Sequence, residues 1–313
     1  MLGEFTDLRA RERYFAAYDA VLRKWPVPAD ELDVGTGFGP TRVRRCGAGS
    51  GPPIVLLSGG MGTSLSWYPH IADLAGRHRI YAVDSIGEPG RSTHTRPILT
   101  PEDCTDWLGE VVDAVLADSG HEKVHLAGVS RGGWLALNLA ARSRGRLAGV
   151  VTFEASGFGV IGNSFIRWSL VEILRWLMPL PILRLISMGD ATVRHTMRPL
   201  LFGGLKYRQH LPEQRLFTDD DLRSIDVPTR IVVAERSVIH NAREVAARVE
   251  PLNPHIRAEI VPATSHGLSL ERPELVTARI LELTQENHAD IADSVVHGDA
   301  ERLVEIDRLP DLT

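Results

Sequence analysis

Six short, largely apolar runs constrain the fold of this chain more than any other feature. They are Ile54–Leu57, Ile80–Val83, Val124–Ala127, Val150–Phe153, Ile231–Ala234 and Ile256–Val261, each followed by a stretch with helical spacing. A strand without a polar face has no side to turn to water, so it belongs inside a parallel sheet covered by helices on both faces. Right-handed crossovers then bring the C-terminal ends of such strands to one edge, where this architecture builds its sites. The chain has 313 residues, 43% of them hydrophobic. A chain of this size buries roughly three quarters of its unfolded surface, so its core needs no covalent staples. Cys46 and Cys104, the only cysteines, offer neither a disulfide framework nor a metal-cluster spacing.

The remaining segments fit around this frame. Residues 7–24 have the spacing of an amphipathic helix ended by Pro26 and Pro28, and Thr41–Cys46 alternates as a strand does. The rhythm breaks over 158–218, where FIRWSLVEILRWLMPLPILRLISM is apolar but interrupted by Arg167, Glu172, Arg175, Pro179, Pro181 and Arg184. No uninterrupted part of it approaches the ~20 residues of a membrane span. Two short helices bent at the prolines fit better. As an insertion at the functional edge they read as a lid; a helix pair packed on the sheet and a peripheral membrane contact are the other readings. Residues 286–313 hold eight acids against Arg302 and Arg308, so they form either a solvated tail or an acidic helix that docks on a partner. The net charge of −5 gives no basic field for nucleic acid. The charged opening MLGEFTDLRARERY shows no secretory leader, which leads us to expect a cytoplasmic protein.

The strongest local signal is Gly128-Val129-Ser130-Arg131-Gly132, directly after the strand VHLA and directly before the helical run GGWLALNLAARS. In a strand–turn–helix setting the geometry explains the residues: the serine sits on a sharp turn, glycines give its neighbours room, and the helix N-terminus favours negative charge. Alone, the same five residues would equally be an ordinary Gly-Ser turn.

Three further segments accompany it: Ser58-Gly59-Gly60-Met61 after the third strand, Asp84-Ser85-Ile86-Gly87-Glu88-Pro89-Gly90-Arg91-Ser92 after the fourth, and Ser265-His266-Gly267 followed by Glu271-Arg272-Pro273-Glu274. With these the chain resembles the α/β-hydrolase superfamily, in its esterase/lipase-like branch, over roughly residues 10–285. The resemblance implies an α/β-hydrolase fold, a mostly parallel central sheet flanked by helices with a helical lid inserted after the sixth strand. The core would be 1–157 and 219–285, the lid 158–218 and the acidic tail 286–313. It also implies that Ser130 is the nucleophile and His266 the general base. Backbone N–H groups of Arg131 and of Gly60 or Met61 would form the oxyanion hole. Many relatives carry histidine where this chain has Ser58.

The acid departs from the family pattern. Most relatives place it after the seventh strand, at the position held here by Ser237, and a hydroxyl cannot stabilise an imidazolium as a carboxylate does. Three accounts stand open. Glu154, closing the strand Gly149–Phe153, takes the role from the sixth strand; or Glu235 does so from a remodelled turn; or the site is a Ser–His dyad. Asp84 reads as a loop anchor, Glu102, Asp103 and Asp106 as helix N-terminal acids, and His240 as a surface residue.

The function expected from these residues is a serine esterase cleaving a carboxylic ester or thioester of a small to medium apolar acyl compound. Trp168, Trp176 and Met178 of the lid would contact that small-molecule partner. The same Ser–His site serving acyl transfer, cyclisation or carboxylate elimination is the alternative, and a binding module that lost its chemistry is a third. Gly35-Thr36-Gly37-Phe38-Gly39 does not match a dinucleotide fingerprint, and the ligand spacing for a metal is lacking, so no cofactor is expected.

Overall fold

The computed structural model describes residues 1–142, 145–186 and 190–285. The acidic stretch 286–313 lies outside the described residues. Eight strands form one sheet: β1 (Ala29–Val34), β2 (Thr41–Cys46), β3 (Ile54–Leu57), β4 (Ile80–Val83), β5 (Val124–Val129), β6 (Leu147–Phe153), β7 (Thr229–Arg236) and β8 (Ile256–Ser265). Their spatial order is β8-β7-β6-β5-β3-β4-β2-β1. Pairing is antiparallel between β1 and β2 and between β2 and β4, and parallel elsewhere. The six apolar runs all fall inside strands. β1 was not anticipated: its sequence ADELDV is mostly polar and only partly buried, as suits an edge strand paired on one side.

Helices cover both faces. Trp107 and Val111 of α3 (Pro101–Ser119) and Leu135 and Leu139 of α4 (Arg131–Arg142) pack on one side of the strands. Ile71 and Leu74 of α2 (Tyr68–Ala75), with Val276 and Ile280 of the helical residues 273–285, pack on the other. The N-terminal helix α1 (Leu8–Leu22) is capped by the Asp7 carboxylate, which accepts from Ala10 N–H. Its Tyr14, Tyr18 and Val21 form a third apolar cluster with residues of the insertion.

Among the described residues that insertion holds three helices, where the prolines suggested two: α5 (Asn163–Leu177), α6 (Leu180–Ile186) and α7 (Ala191–Gly204). Pro179 and Pro181 do mark the break between α5 and α6, because proline cannot supply the N–H that would continue α5. Pro199 lies within α7. After the insertion come α8 (Asp219–Arg223), α9 (Ala242–Leu252) and α10 (Leu268–Glu271). Among the described residues, no helix is long and apolar enough to cross a membrane.

The register sets up the site. Leu57 of β3 pairs with Gly128 of β5, Gly128 with Thr152 of β6, and Thr152 with Ile231 of β7. Ser130 and Glu154 each follow this row by two residues, so both emerge at the same edge of adjacent strands. On β8 the pairing to β7 shifts between Val261 and Ser265, and Ala263 in the shift has a φ of 56°. An irregularity of this kind bends a strand and re-aims the residue beyond its end, here His266.

Candidate active site

The turn at Ser130 is strained and tightly held. Ser130 has a φ of 49°, a left-handed conformation that a side chain rarely adopts. Three backbone bonds hold it there: Ser130 N–H donates to Phe153 O at 2.9 Å, and Ser130 O accepts from Trp134 N–H at 3.0 Å and Ser156 N–H at 3.3 Å. The flanking glycines are required by close approach. A Cβ on Gly128 would lie 2.4 Å from Gly132 O, and one on Gly132 would lie 2.4 Å from Leu57 O. α4 begins at Arg131, so the free N–H groups of its first turn sit beside the serine.

The loop after β3 presses against this turn, with the Cβ position of Gly59 only 3.5 Å from Ser130 Cβ. The two candidate donors on the loop differ. Met61, at a φ of 63°, donates its N–H to Glu88 Oε2 at 2.9 Å and is thereby engaged. Gly60 N–H has no hydrogen-bond partner among the described residues. It is Gly60, with Arg131, that keeps a donor available for an oxyanion; Met61 does not. Glu88 is buried, and burial pushes its pKa up against the opposing pull of Arg131 and Met61 N–H. Arg131 Nε lies 3.5 Å from Glu88 Oε1, and Gln209 Nε2 donates to Oε2. The segment after β4 thus braces the loop. Asp84, in the same segment, accepts from Ser64 N–H, Arg91 N–H and the Tyr18 hydroxyl, which makes it the loop anchor its position suggested.

The carboxylate beside His266 is Glu154. Its Oε2 lies 3.1 Å from His266 Nδ1 across 112 residues of sequence, with the carboxylate almost fully buried. Three more groups converge on it: Ala234 N–H reaches Oε1 at 2.6 Å, Ser237 Oγ donates to Oε2 at 2.7 Å, and His240 Nε2 lies 3.2 Å from Oε1. Burial works to raise the Glu154 pKa, but the hydrogen bonds and charges of His240 and His266 outweigh it and hold the group down at about 2. Ser237, at the customary acid position, therefore donates to a carboxylate supplied by the next strand. Glu235 turns elsewhere, accepting Ala263 N–H at 2.8 Å on exposed backbone. The expectation for His240 is corrected: its side chain is 1% exposed, because the turn after β7 folds inward over Glu154.

His266 and Ser130 border one cavity of about 560 Å³, within the range of small-molecule sites. No hydrogen bond joins Ser130 Oγ to His266 among the described residues; such contacts are often long before substrate binds. Trp168 and Phe165 of α5 meet the imidazole edge-on at 5.3 and 5.6 Å, and Trp168 Nε1 donates to Ser265 Oγ at 3.3 Å. Trp176, Ile173, Val193 and Leu200 extend an apolar wall from α5 and α7. Met178 is not among the lining residues. It follows the last turn of α5 in extended backbone, at the bend before Pro179, and so lies outside the chamber. Glu172, which does line the cavity, is neutralised by a 2.6 Å bond from the buried Arg194 and by Arg175. Among the described residues, no group of three or more His, Cys, Asp or Glu is placed to hold a metal ion.

Comparison with known proteins bears on the fold and the family. The model of the Alpha/beta hydrolase family matches residues 54–279. Carboxylesterase YbfK of Bacillus subtilis is 29% identical over 89% of this chain and 95% of its own length. A second protein of that organism, the uncharacterized carboxylesterase nap, is 31% identical over 86% and 91%. Among solved structures, carboxylesterase CesB (YbfK) superposes with a TM-score of 0.76 at 28% identity, covering 88% of this chain and 98% of that one. The naproxen esterase (carboxylesterase NP) of B. subtilis superposes at 0.73 and 29% identity, covering 87% and 96%. From the strained serine turn, the order of the strands and a family match over most of its length, this chain belongs to the alpha/beta hydrolase family.

Proposed function

We propose that the chain is a serine carboxylesterase acting on carboxylic esters or thioesters of small to medium apolar acyl groups, with Ser130, His266 and Glu154 as its catalytic residues. The observation that carries this is the 3.1 Å contact of His266 Nδ1 with a buried, hydrogen-bonded carboxylate, with His266 lining the apolar cavity that Ser130 also borders. Carboxylesterase relatives that span nearly the whole chain support it.

Each group then has one task. Ser130 Oγ attacks the acyl carbon while His266 Nε2 takes its proton. The carbonyl oxygen becomes an oxyanion held by the N–H groups of Arg131 and Gly60. Collapse expels the alcohol or thiol, which leaves with the proton from His266, and water repeats the sequence to free the acid and restore Ser130. Glu154 keeps the His266 Nδ1 proton in place, so that Nε2 presents its lone pair, and it stabilises the imidazolium. Residues 158–218 serve as a lid whose inner wall of Trp168, Trp176 and Ile173 receives the apolar part of the substrate and keeps water scarce. Glu172 on that wall is paired with Arg194 and Arg175, so it offers no unpaired carboxylate to the substrate.

The test is covalent labelling with a fluorophosphonate together with hydrolysis of p-nitrophenyl butyrate. The expected outcome is a mass increase mapped to Ser130 and loss of both labelling and turnover in Ser130→Ala. A wild-type protein that hydrolyses neither short nor medium acyl esters, and that resists the reagent, would refute the proposal.

A further inference from the structure

His240 is a buried histidine that the catalytic scheme leaves without a task. It belongs to the turn after β7, and its side chain is 1% exposed. Its Nε2 lies 3.2 Å from Glu154 Oε1, while its Nδ1 is buried with no partner among the described residues. The ring stands edge-on to Phe158, at 90° and 6.3 Å. The backbone is held from the opposite side as well: a Cβ on Gly159 would fall 2.4 Å from Ile239 O and 3.1 Å from the His240 Cα. Such confinement, for a ring with only one polar contact, fixes what that contact must be. Glu154 is ionised and can only accept, so His240 Nε2 carries the proton and donates it.

The four donors on Glu154 divide evenly. Oε1 takes Ala234 N–H and His240, and Oε2 takes Ser237 and His266. Glu154 needs such bracing because it sits at a strand end with a φ of 52°, where its own backbone is strained. The Ala234 and Ser237 contacts lie beside the β7 backbone, whereas the two imidazoles approach opposite oxygens. We propose that His240 is a positioning residue: by holding Oε1 it fixes the plane of the Glu154 carboxylate, and so keeps Oε2 directed at His266 Nδ1. A turn that carries no acid of its own instead contributes two donors, Ser237 and His240, to the acid borrowed from β6. This inference rests on Glu154 being the acid of the proposed esterase.

The test compares His240→Gln, His240→Asn and His240→Phe in kcat, KM and melting temperature on a p-nitrophenyl ester, each also made in a Glu154→Gln background. Glutamine carries an amide N–H near the position of Nε2, asparagine near that of Nδ1. The expected result is a loss in kcat of about tenfold for His240→Phe and His240→Asn, the scale of one hydrogen bond to a charged group. KM stays within about twofold, and His240→Gln recovers most of the rate. In the Glu154→Gln background His240→Phe costs little more, since the carboxylate it positions has gone. Equal rates for His240→Gln and His240→Asn would overturn the inference, as would a His240→Phe loss of the same size in both backgrounds. If Glu154→Gln is inactive while His240→Phe is fully active, only the role of His240 fails. If Glu154→Gln itself keeps wild-type turnover, the assignment of the acid fails and the inference with it.

Discussion

Replacing Glu154 by glutamine tests the site most sharply, because the surroundings dictate how the amide must lie. Each carboxylate oxygen accepts two hydrogen bonds. If the NH₂ occupied the Oε1 position it would face Ala234 N–H, a backbone donor at 2.6 Å that cannot turn away. The NH₂ must therefore take the Oε2 position. There Ser237 can rotate its hydroxyl to accept, and His266 can meet the amide only by presenting a lone pair at Nδ1. That moves its proton to Nε2, the nitrogen that must receive the proton of Ser130. The base is then held in the wrong tautomer, an effect on the order of 10⁴-fold in kcat where an acid–base–nucleophile site has been treated this way, or about 5.5 kcal/mol of activation free energy. The packing is isosteric and all four neighbours keep a partner, so the fold should survive. Steady-state kinetics on a p-nitrophenyl ester, with circular dichroism as the control for folding, reads both effects. Glu235→Gln, whose carboxylate accepts only from Ala263 N–H among the described residues, should stay within about threefold of wild type, as exposed contacts of this kind contribute little. Glu154→Gln activity within tenfold of wild type, or a larger loss for Glu235→Gln, would refute the reasoning.

Other consequences are as direct. Trp168→Ala removes the ring packed 5.3 Å from His266 and should lower kcat/KM by about tenfold to a hundredfold through misplacement of the base; an unchanged kcat/KM would show that the ring does not position it. Gly132→Ala drives a methyl group to 2.4 Å from Leu57 O, a backbone atom of the central sheet that cannot yield. It should cost about 3 kcal/mol or more, read by urea unfolding, and a wild-type midpoint would count against the turn geometry. The pH dependence has a defined sign: Glu154 is held down at about 2 from an ordinary 4.5. Its ionised form therefore contributes stability that is complete above pH 4.5 and lost as pH falls toward 2. The stability gap between wild type and Glu154→Gln should accordingly shrink between pH 5 and pH 3, and a gap that widens would contradict it.

Much of the frame was legible in the sequence because its signals are local. Ile54–Leu57 and Ile80–Val83 are strands whose every residue is buried, and an apolar tetrapeptide between turns has few other fates. The serine turn was legible because Gly128, Ser130 and Gly132 lie within five consecutive positions between a strand and a helix, although the atom that excludes a side chain at Gly132 is Leu57 O on β3. β1 was not, since an edge strand half in water carries the composition of a loop. Met178 was misplaced toward the cavity because helical spacing gives no reliable direction beyond the point where a proline ends the helix.

The acid marks the limit of sequence reading. Glu154, Glu235 and a bare dyad were all compatible with residue order, and only tertiary structure sets the carboxylate of Glu154 beside His266. The choice depends on parallel registers that set β6 beside β7, and on a shift in β8 that swings His266 toward the end of β6. His240 shows the same limit: its turn looks like surface until Glu154 is placed beneath it. The sequence by itself determined which segments become strands, which serine sits on a strand–turn–helix junction and which histidine comes after the last strand, because each depends on neighbours a few residues away. Tertiary structure alone decided which carboxylate meets that histidine and what surrounds it, because contacts across 112 residues arise from strand register and packing, to which no local pattern refers.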